Sequence, residues 1–171
     1  YFYDARGCAL FEAICELPEY YPTRVELALM ADHAQAMAAQ LPSGCTLIEF
    51  GSGASRKTEA LLQTLRPEVY VPVDIAIEAL RDSTARLAVK FPQLRMTAVC
   101  ADYMQPLQAP ALAQLPGKRR VIYFPGSTIG NLTPEEARTF LRRGGRLAGV
   151  GGAMLIGVDL KKDPQVLHAA Y

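Results

Sequence analysis

The sequence predicts a doubly wound α/β fold built on a mostly parallel sheet. Three observations carry that expectation. Short apolar, β-branched runs alternate with helical periodicities from about residue 46 onward; the first run stops at a Gly-Ser-Gly turn; and acidic residues close the two runs that follow. Near-continuous apolar strands separated by helices imply a parallel sheet covered on both faces, with right-handed crossovers.

The elements follow in order. Thr23-Arg24-Val25-Glu26 has capping-box spacing, and Leu27, Met30, Ala31, Ala34, Met37, Ala38 and Leu41 recur at three- and four-residue intervals. They predict an amphipathic helix ending near Pro42-Ser43-Gly44. Thr46 to Phe50 reads as the first strand, Gly51-Ser52-Gly53 as its turn, and Lys57 to Leu65 as a helix with Leu61, Leu62 and Leu65 facing a core. Val69 to Ile75 is the second strand, followed by a helix carrying Ile77, Leu80, Thr84, Leu87 and Phe91. Further strands are expected at Arg95 to Cys100, Arg120 to Phe124 and Ala153 to Val158. A helix after Thr133-Pro134-Glu135-Glu136 separates the last two, and helix is expected again from Val166 to Ala170. The chain divides into an N-terminal segment and helix, residues 1–44, and an α/β core, residues 45–171.

Length and composition bound the function. The 171 residues, half of them hydrophobic, suffice for one domain with a sizeable core. Eighteen basic against seventeen acidic residues leave a formal charge of +1, too little to bind a polyphosphate backbone, so nucleic acid is not an expected partner. No apolar run approaches the roughly 20 residues of a membrane-spanning helix, and Tyr-Phe-Tyr-Asp does not open a signal segment, so a soluble cytoplasmic protein is expected. Cys8, Cys15, Cys45 and Cys100 form no CxxC pair, and His33 and His168 stand far apart; buried or half-buried free thiols are expected, and no metal. The first residue is not methionine and Tyr171 directly follows apparent helix, so both ends are expected to be cut through a longer protein.

In such a sheet, ligands bind beyond the carboxyl ends of the strands where strand order reverses. Gly51, Ser52 and Gly53 form the first such turn, where missing side chains let a ligand approach the backbone. Arg56 stands where a dinucleotide fingerprint would place a third glycine or alanine, which counts against NAD. Asp74 ends the second strand about twenty residues after the turn, where a carboxylate accepts ribose hydroxyls; a helix N-cap is the alternative reading. After the third strand, Asp102 is placed to accept an adenine amino group and Tyr103 to meet the purine, or Asp102 is a plain turn residue. Glycine turn and two acidic strand ends recur in the order class I methyltransferases use for adenosyl cofactors. The fourth strand runs into Pro125 to Pro134, whose small residues leave an open pocket in which Asn131 offers both donor and acceptor. Pro18-Glu19-Tyr20-Tyr21-Pro22 is a fixed extended segment with adjacent tyrosines, packing residues or ligand contacts.

Taken together, several segments resemble the histidine Nα-methyltransferase family of ergothioneine biosynthesis. They are Tyr1 to Asp4, Leu17 to Arg24, Glu49 to Thr58, Gly126 to Pro134 and Gly157 to Asp163, and the resemblance covers essentially the whole chain. It implies a Rossmann-like class I fold and S-adenosyl-L-methionine as cofactor, contacted by Gly51, Ser52, Gly53, Lys57, Asp74, Asp102 and Tyr103. It implies L-histidine as substrate, in a pocket lined by Tyr20, Gly126, Asn131 and Tyr171 with a contribution from residues 1–44, and Asn131 meeting the substrate's carboxylate and amine end. Tyr3 matches a family tyrosine near the reacting amine. Two departures are Tyr103, where phenylalanine is common, and Pro125, where relatives carry an aliphatic residue. The resemblance also implies further strands past Tyr171 and a substrate-binding part that supplies a glutamate to the imidazole.

The expected chemistry is direct displacement at a sulfonium methyl by a neutral α-amine, driven mainly by alignment and needing no covalent protein nucleophile. Tyrosine rings such as Tyr3 or Tyr20 would favour the growing cation. No obligate protein partner is implied. Three other readings stand beside this one: a methyltransferase acting on another amino acid or amine, a nicotinamide-dependent oxidoreductase using Asp74 for ribose, and a cofactor-binding fragment without turnover.

Overall fold

The computed structural model describes residues 5–53, 55, 57–105, 107 and 119–170. Tyr1 to Asp4, including Tyr3, together with Arg56 and Tyr171, lie outside the described residues. Helices α1 (Ala5–Cys15) and α2 (Tyr21–Ala39) precede the sheet. Strand β1 (Thr46–Phe50), helix α3 (Thr58–Leu65), strand β2 (Val69–Asp74) and helix α4 (Ile77–Lys90) follow. Then come β3 (Arg95–Met96), β4 (Val99–Cys100), β5 (Arg120–Phe124), a 3₁₀ turn at Thr128–Asn131, α5 (Pro134–Ala148), β6 (Ala153–Ile156) and α6 (Pro164–Ala170).

All strand pairings are parallel, in the order β3-β2-β1-β5-β6, with β4 also on β2. The chain moves outward from β1 through β2 to β3 and β4, then returns to the other side of β1 for β5 and β6. That reversal places the switch point at the carboxyl ends of β1 and β5. Alternation along the strands feeds two cores. Leu47, Tyr70, Val121 and Tyr123 pack with Met30, Leu61, Leu65 and Leu87 from α2, α3 and α4. Ile48, Phe50, Val71, Val73, Ile122 and Phe124 pack with Phe140 and Ala148 of α5. Helices therefore cover both faces, as the doubly wound expectation requires.

Two local expectations are corrected. The third strand is not one run over Arg95 to Cys100 but two short pieces in the same register, Val69 opposite Arg95 and Val73 opposite Val99. Thr97 N donates to Tyr70 O at 3.0 Å, but the next rung would need an N–H from Pro72, which has none. The second correction concerns α2, which starts at Tyr21 with Pro22 in its first turn and no side-chain cap. Thr23 Oγ1 instead donates to Cys15 Sγ at 3.3 Å, and Glu26 turns toward α3. The segment before α2 is gathered by Arg24, whose guanidinium donates to the carbonyls of Leu17, Pro18 and Tyr20. The helix expected after Thr133 forms, and the structure adds a capping box at its start: Thr133 Oγ1 accepts from Glu136 N, and the Glu136 carboxylate accepts from Thr133 N at 2.8 Å.

Among the described residues, no helix is long and apolar enough to cross a membrane, and no group of three or more His, Cys, Asp or Glu is placed to hold a metal. None of the four cysteines is in a disulfide; Cys45 is buried and Cys8 and Cys15 half-buried, but Cys100 is exposed, against the expectation that all four are shielded.

Candidate functional site

The site lies at the carboxyl ends of β1, β2, β4 and β5. Gly51 takes φ +69°, a left-handed conformation that a side chain would strain, and turns the chain off β1. Its amide donates to Val73 O at 2.9 Å, which locks the turn onto the end of β2. The missing Cβ faces the Tyr103 ring, whose Cε1 would lie 3.5 Å away. Tyr103 stacks on Phe50 with ring centroids 5.8 Å apart and meets Phe124 edge-on at 5.5 Å. The turn after β4 is thereby folded onto the turn after β1.

Asp74 is buried and binds the glycine turn directly. One carboxylate oxygen accepts from Gly53 N at 2.8 Å and the other from Ala76 N at 2.9 Å. A carboxylate has about four acceptor positions, so both oxygens retain capacity for a ligand's hydroxyls. Asp102 is exposed and forms an Asx turn, accepting from Met104 N at 2.8 Å with one oxygen. The turn-residue reading thus describes half of its carboxylate.

Beneath the turn, Glu49 is fully buried. Thr58 Oγ1 donates to it at 2.6 Å and the Tyr70 hydroxyl donates to its other oxygen; Tyr70 in turn lies 3.3 Å from Ser55 Oγ. Burial pushes the Glu49 carboxyl up to about 7, against the lowering effect of its two hydroxyl donors. Burial and the adjacent Glu49 charge push the Tyr70 phenol well above its ordinary value, so Tyr70 stays a donor. The network ties β1, β2, the turn and the start of α3 into one unit.

On the β5 side, Lys57 pairs with Glu26 of α2, and Gly126 N donates to both Glu26 oxygens at 2.8 and 2.9 Å. Ser127 holds φ +56°, uncommon for a residue with a side chain, and its hydroxyl accepts from Asp159 N at 2.8 Å. The Asp159 carboxylate accepts from the Tyr21 hydroxyl at 2.5 Å and pairs with Lys162, which lies 4.8 Å over the Tyr21 ring. Lys162 and Tyr21 donating to Asp159 hold its carboxyl below the ordinary value, and donating that bond to a carboxylate holds the Tyr21 phenol above its own. Asn131 ends the 3₁₀ turn with its side chain exposed.

Of the residues singled out from sequence, Gly51, Ser52, Gly53, Lys57, Asp74, Asp102, Tyr103, Gly126 and Asn131 all fall at strand ends on this rim of the sheet. Tyr20 stands at the start of α2, edge-on to Phe11 at 6.1 Å; its neighbour Tyr21 makes the link to the β5 loop through Asp159. Sequence reasoning missed Glu26, Glu49 and the Tyr21–Asp159 pair. Glu26 was hidden by its apparent capping position, whereas Asp159 lay inside a motif already noted.

The donor set fits an adenosyl cofactor. Among the described residues, Ser52 Oγ is a buried side-chain oxygen without a hydrogen-bond partner, a vacancy in the turn that native interiors seldom leave unmet. With Asp74 at one end and the Lys57 ammonium toward the other, the rim offers acceptors for a ribose and a cation for a carboxylate.

Comparison with known proteins agrees. The histidine-specific, S-adenosylmethionine-dependent methyltransferase family matches residues 1–171. A protein of Mycolicibacterium smegmatis named histidine N-alpha-methyltransferase is 38% identical over 176 residues, covering 100% of this chain and 53% of its own length. "Ergothioneine biosynthesis protein 1" of Neurospora crassa is 34% identical over 173 residues, covering 99% of this chain and 20% of its own length. This chain therefore spans about half, or less, of the relatives it matches. A Thermobifida fusca structure solved as a candidate methyltransferase superposes with a TM-score of 0.62 at 17% identity, over 96% of this chain and 65% of that one, which shows the Rossmann-like class I fold. With the whole chain inside the family match and the fold in agreement, the chain belongs to the histidine-specific, S-adenosylmethionine-dependent methyltransferase family.

Proposed function

We propose that this chain carries the cofactor half of an enzyme that moves methyl groups from S-adenosylmethionine to the α-amine of L-histidine, ending at N,N,N-trimethylhistidine for ergothioneine synthesis. The observation that carries the reading is the rim itself, where the Gly51–Gly53 turn, Asp74, Lys57 and the Gly126–Asn131 loop meet at the switch point. The names of the two relatives point to histidine and to ergothioneine. The family assignment favours methyl transfer over nicotinamide chemistry.

When bound, S-adenosylmethionine supplies a methyl group on a sulfonium, ready for displacement. Asp74 accepts the ribose hydroxyls and Ser52 offers its unmet hydroxyl to the same ligand. Asp102 uses its remaining oxygen for the adenine amine, with Tyr103 beside the ring. Gly51 and Gly53 let the ligand lie against the backbone, and Lys57 meets its carboxylate. On the substrate side, Gly126 and Asn131 receive the amino-acid end of histidine, and Tyr20 and Tyr171 complete the wall. The substrate-side residues would hold the amine in line with the methyl that the bound cofactor supplies, and that amine would have to be neutral for each transfer. Residues 1–44 act as the substrate-side cover of a core formed by 45–171. We place the reaction in the cytoplasm, where thiols outside disulfides, such as those of the four cysteines, persist.

Calorimetric titration with S-adenosylhomocysteine, then with L-histidine in its presence and NAD as control, tests the reading. Saturable S-adenosylhomocysteine binding with silent NAD is expected. NAD binding without S-adenosylhomocysteine binding would sink the proposal, and turnover only in a longer parent protein would mark this chain as a binding fragment.

A further inference from the structure

Glu26 sits in the second turn of α2, yet its carboxylate reaches away from that helix to the junction of α3, the β5 loop and the end of β6. It accepts from Gly126 N with both oxygens, at 2.8 and 2.9 Å, and from the Lys57 ammonium. Room for it exists because residue 157 is glycine: a Cβ there would stand 2.3 Å from Glu26 Oε1 and 3.2 Å from Gly126 N. The Lys57 and Glu26 side chains are only 21% and 16% exposed, so solvent screens the pair less than a surface ion pair. Two donors on one carboxylate, Gly126 N shared between its oxygens and the Lys57 ammonium, in a space only glycine leaves open, make this a built contact.

The contact fixes where Lys57 points. An ammonium carries three N–H donors, and anchoring one to Glu26 orients the other two. Along the sheet rim, Asp74 lies at the end of β2 and the glycine turn at β1, whereas Lys57 lies toward β5, its Nζ 3.5 Å from where a Cβ on Gly126 would be. A nucleoside whose ribose meets Asp74 therefore carries its amino-acid end toward Lys57.

We propose that Glu26 is a positioning residue for cofactor recognition: it holds the Lys57 ammonium against the carboxylate of the cofactor's amino-acid end without touching the cofactor itself. The inference rests on the adenosyl-cofactor reading above. Without Glu26, Lys57 regains rotamer freedom that binding must remove, and recognition of that carboxylate weakens while recognition of the adenosine does not.

The test compares two nucleosides by calorimetry: S-adenosylhomocysteine, and 5′-methylthioadenosine, which keeps the adenosine and thioether but lacks the amino acid. Glu26→Gln keeps the side-chain length and an acceptor for Gly126 N while removing the charge. It is expected to weaken S-adenosylhomocysteine about tenfold and to leave methylthioadenosine within about twofold. Glu26→Asp, which keeps the charge but withdraws it, is a second variant expected to show the same selective loss. Lys57→Met is expected to lose the same selectivity, with Glu26→Gln adding nothing further in the double variant. Equal weakening of both nucleosides, as a merely structural role would give, overturns the inference, and so does an unchanged or tightened S-adenosylhomocysteine affinity. A wild-type chain that binds neither nucleoside instead defeats the cofactor reading, and the inference with it.

Discussion

The Tyr70 hydroxyl donates to the Glu49 carboxylate two residues before the glycine turn, inside a pocket that solvent does not reach. Glu49 is held there against its preference for water, and that gives stability a pH dependence. Below its ordinary value of 4.5 the carboxyl is protonated in both the folded and the unfolded chain. Between 4.5 and about 7 only the unfolded chain ionises, so stability falls as pH rises through this window, by on the order of 3 kcal/mol in all. Glu49→Gln is expected to remove that slope. Scanning calorimetry from pH 4.5 to 7.5 should show the wild-type melting temperature declining relative to the variant's; parallel profiles would mean the burial has no titration consequence.

Asp74 has a structural and a proposed binding role, and two substitutions separate them. Asp74→Ala leaves Gly53 N and Ala76 N without their acceptor and is expected to cost about 1–3 kcal/mol in a urea titration. Asp74→Asn keeps one acceptor oxygen, so its stability loss should be smaller, yet S-adenosylhomocysteine affinity should still drop at least about tenfold. Unchanged affinity in Asp74→Asn would remove Asp74 from the cofactor site.

Gly157→Ala is expected to displace the Glu26 carboxylate, because its Cβ would collide with Oε1 while the Gly126 and Pro125 backbone closes the other side. Overpacking of this kind costs about 1–3 kcal/mol. Denaturant melts should register the loss, and combining Gly157→Ala with Glu26→Ala should recover part of it. A double variant no more stable than Gly157→Ala alone would show that the clash is relieved elsewhere.

The cysteines should separate by reactivity. Cys100 is exposed, whereas burial raises the Cys45 thiol to about 11. Titration of the native chain with a thiol-reactive disulfide should modify Cys100 first and leave Cys45 silent until denaturant is added. Early labelling of Cys45 would mean that β1 opens readily.

What could be read from sequence depended on how locally each feature is decided. The bounds of β1 and β5 agree with the apolar runs because every residue of β1, and all of β5 after Arg120, is buried on both faces, so composition alone marks them. Asp74 and the Gly51–Gly53 turn were legible for a related reason: turn and strand end are fixed by residue type. The break between β3 and β4 depends on a neighbouring strand, since the missing donor is Pro72 of β2. α1 was not anticipated; its residues are mostly exposed, and Leu10, Phe11 and Ile14, although at helical spacing, are not buried by the fold. Glu26 is the instructive error. Its spacing from Thr23 matched a capping box, but Pro22 lets the helix begin earlier, and long-range donors on Lys57 and Gly126 claim the carboxylate.

Arg24, which gathers the carbonyls of Leu17, Pro18 and Tyr20, has a thermodynamic consequence for whatever Tyr20 meets. Those hydrogen bonds hold the backbone leading to that tyrosine, so on the ligand role proposed for Tyr20 its conformational entropy is lost on folding and not on association. A lysine at this position would present a single ammonium in place of a planar fork and could not span three carbonyls in the same way. On the role proposed for Tyr20, the segment would then have to order on binding, and recognition on that side is expected to become slower and weaker with every direct contact intact.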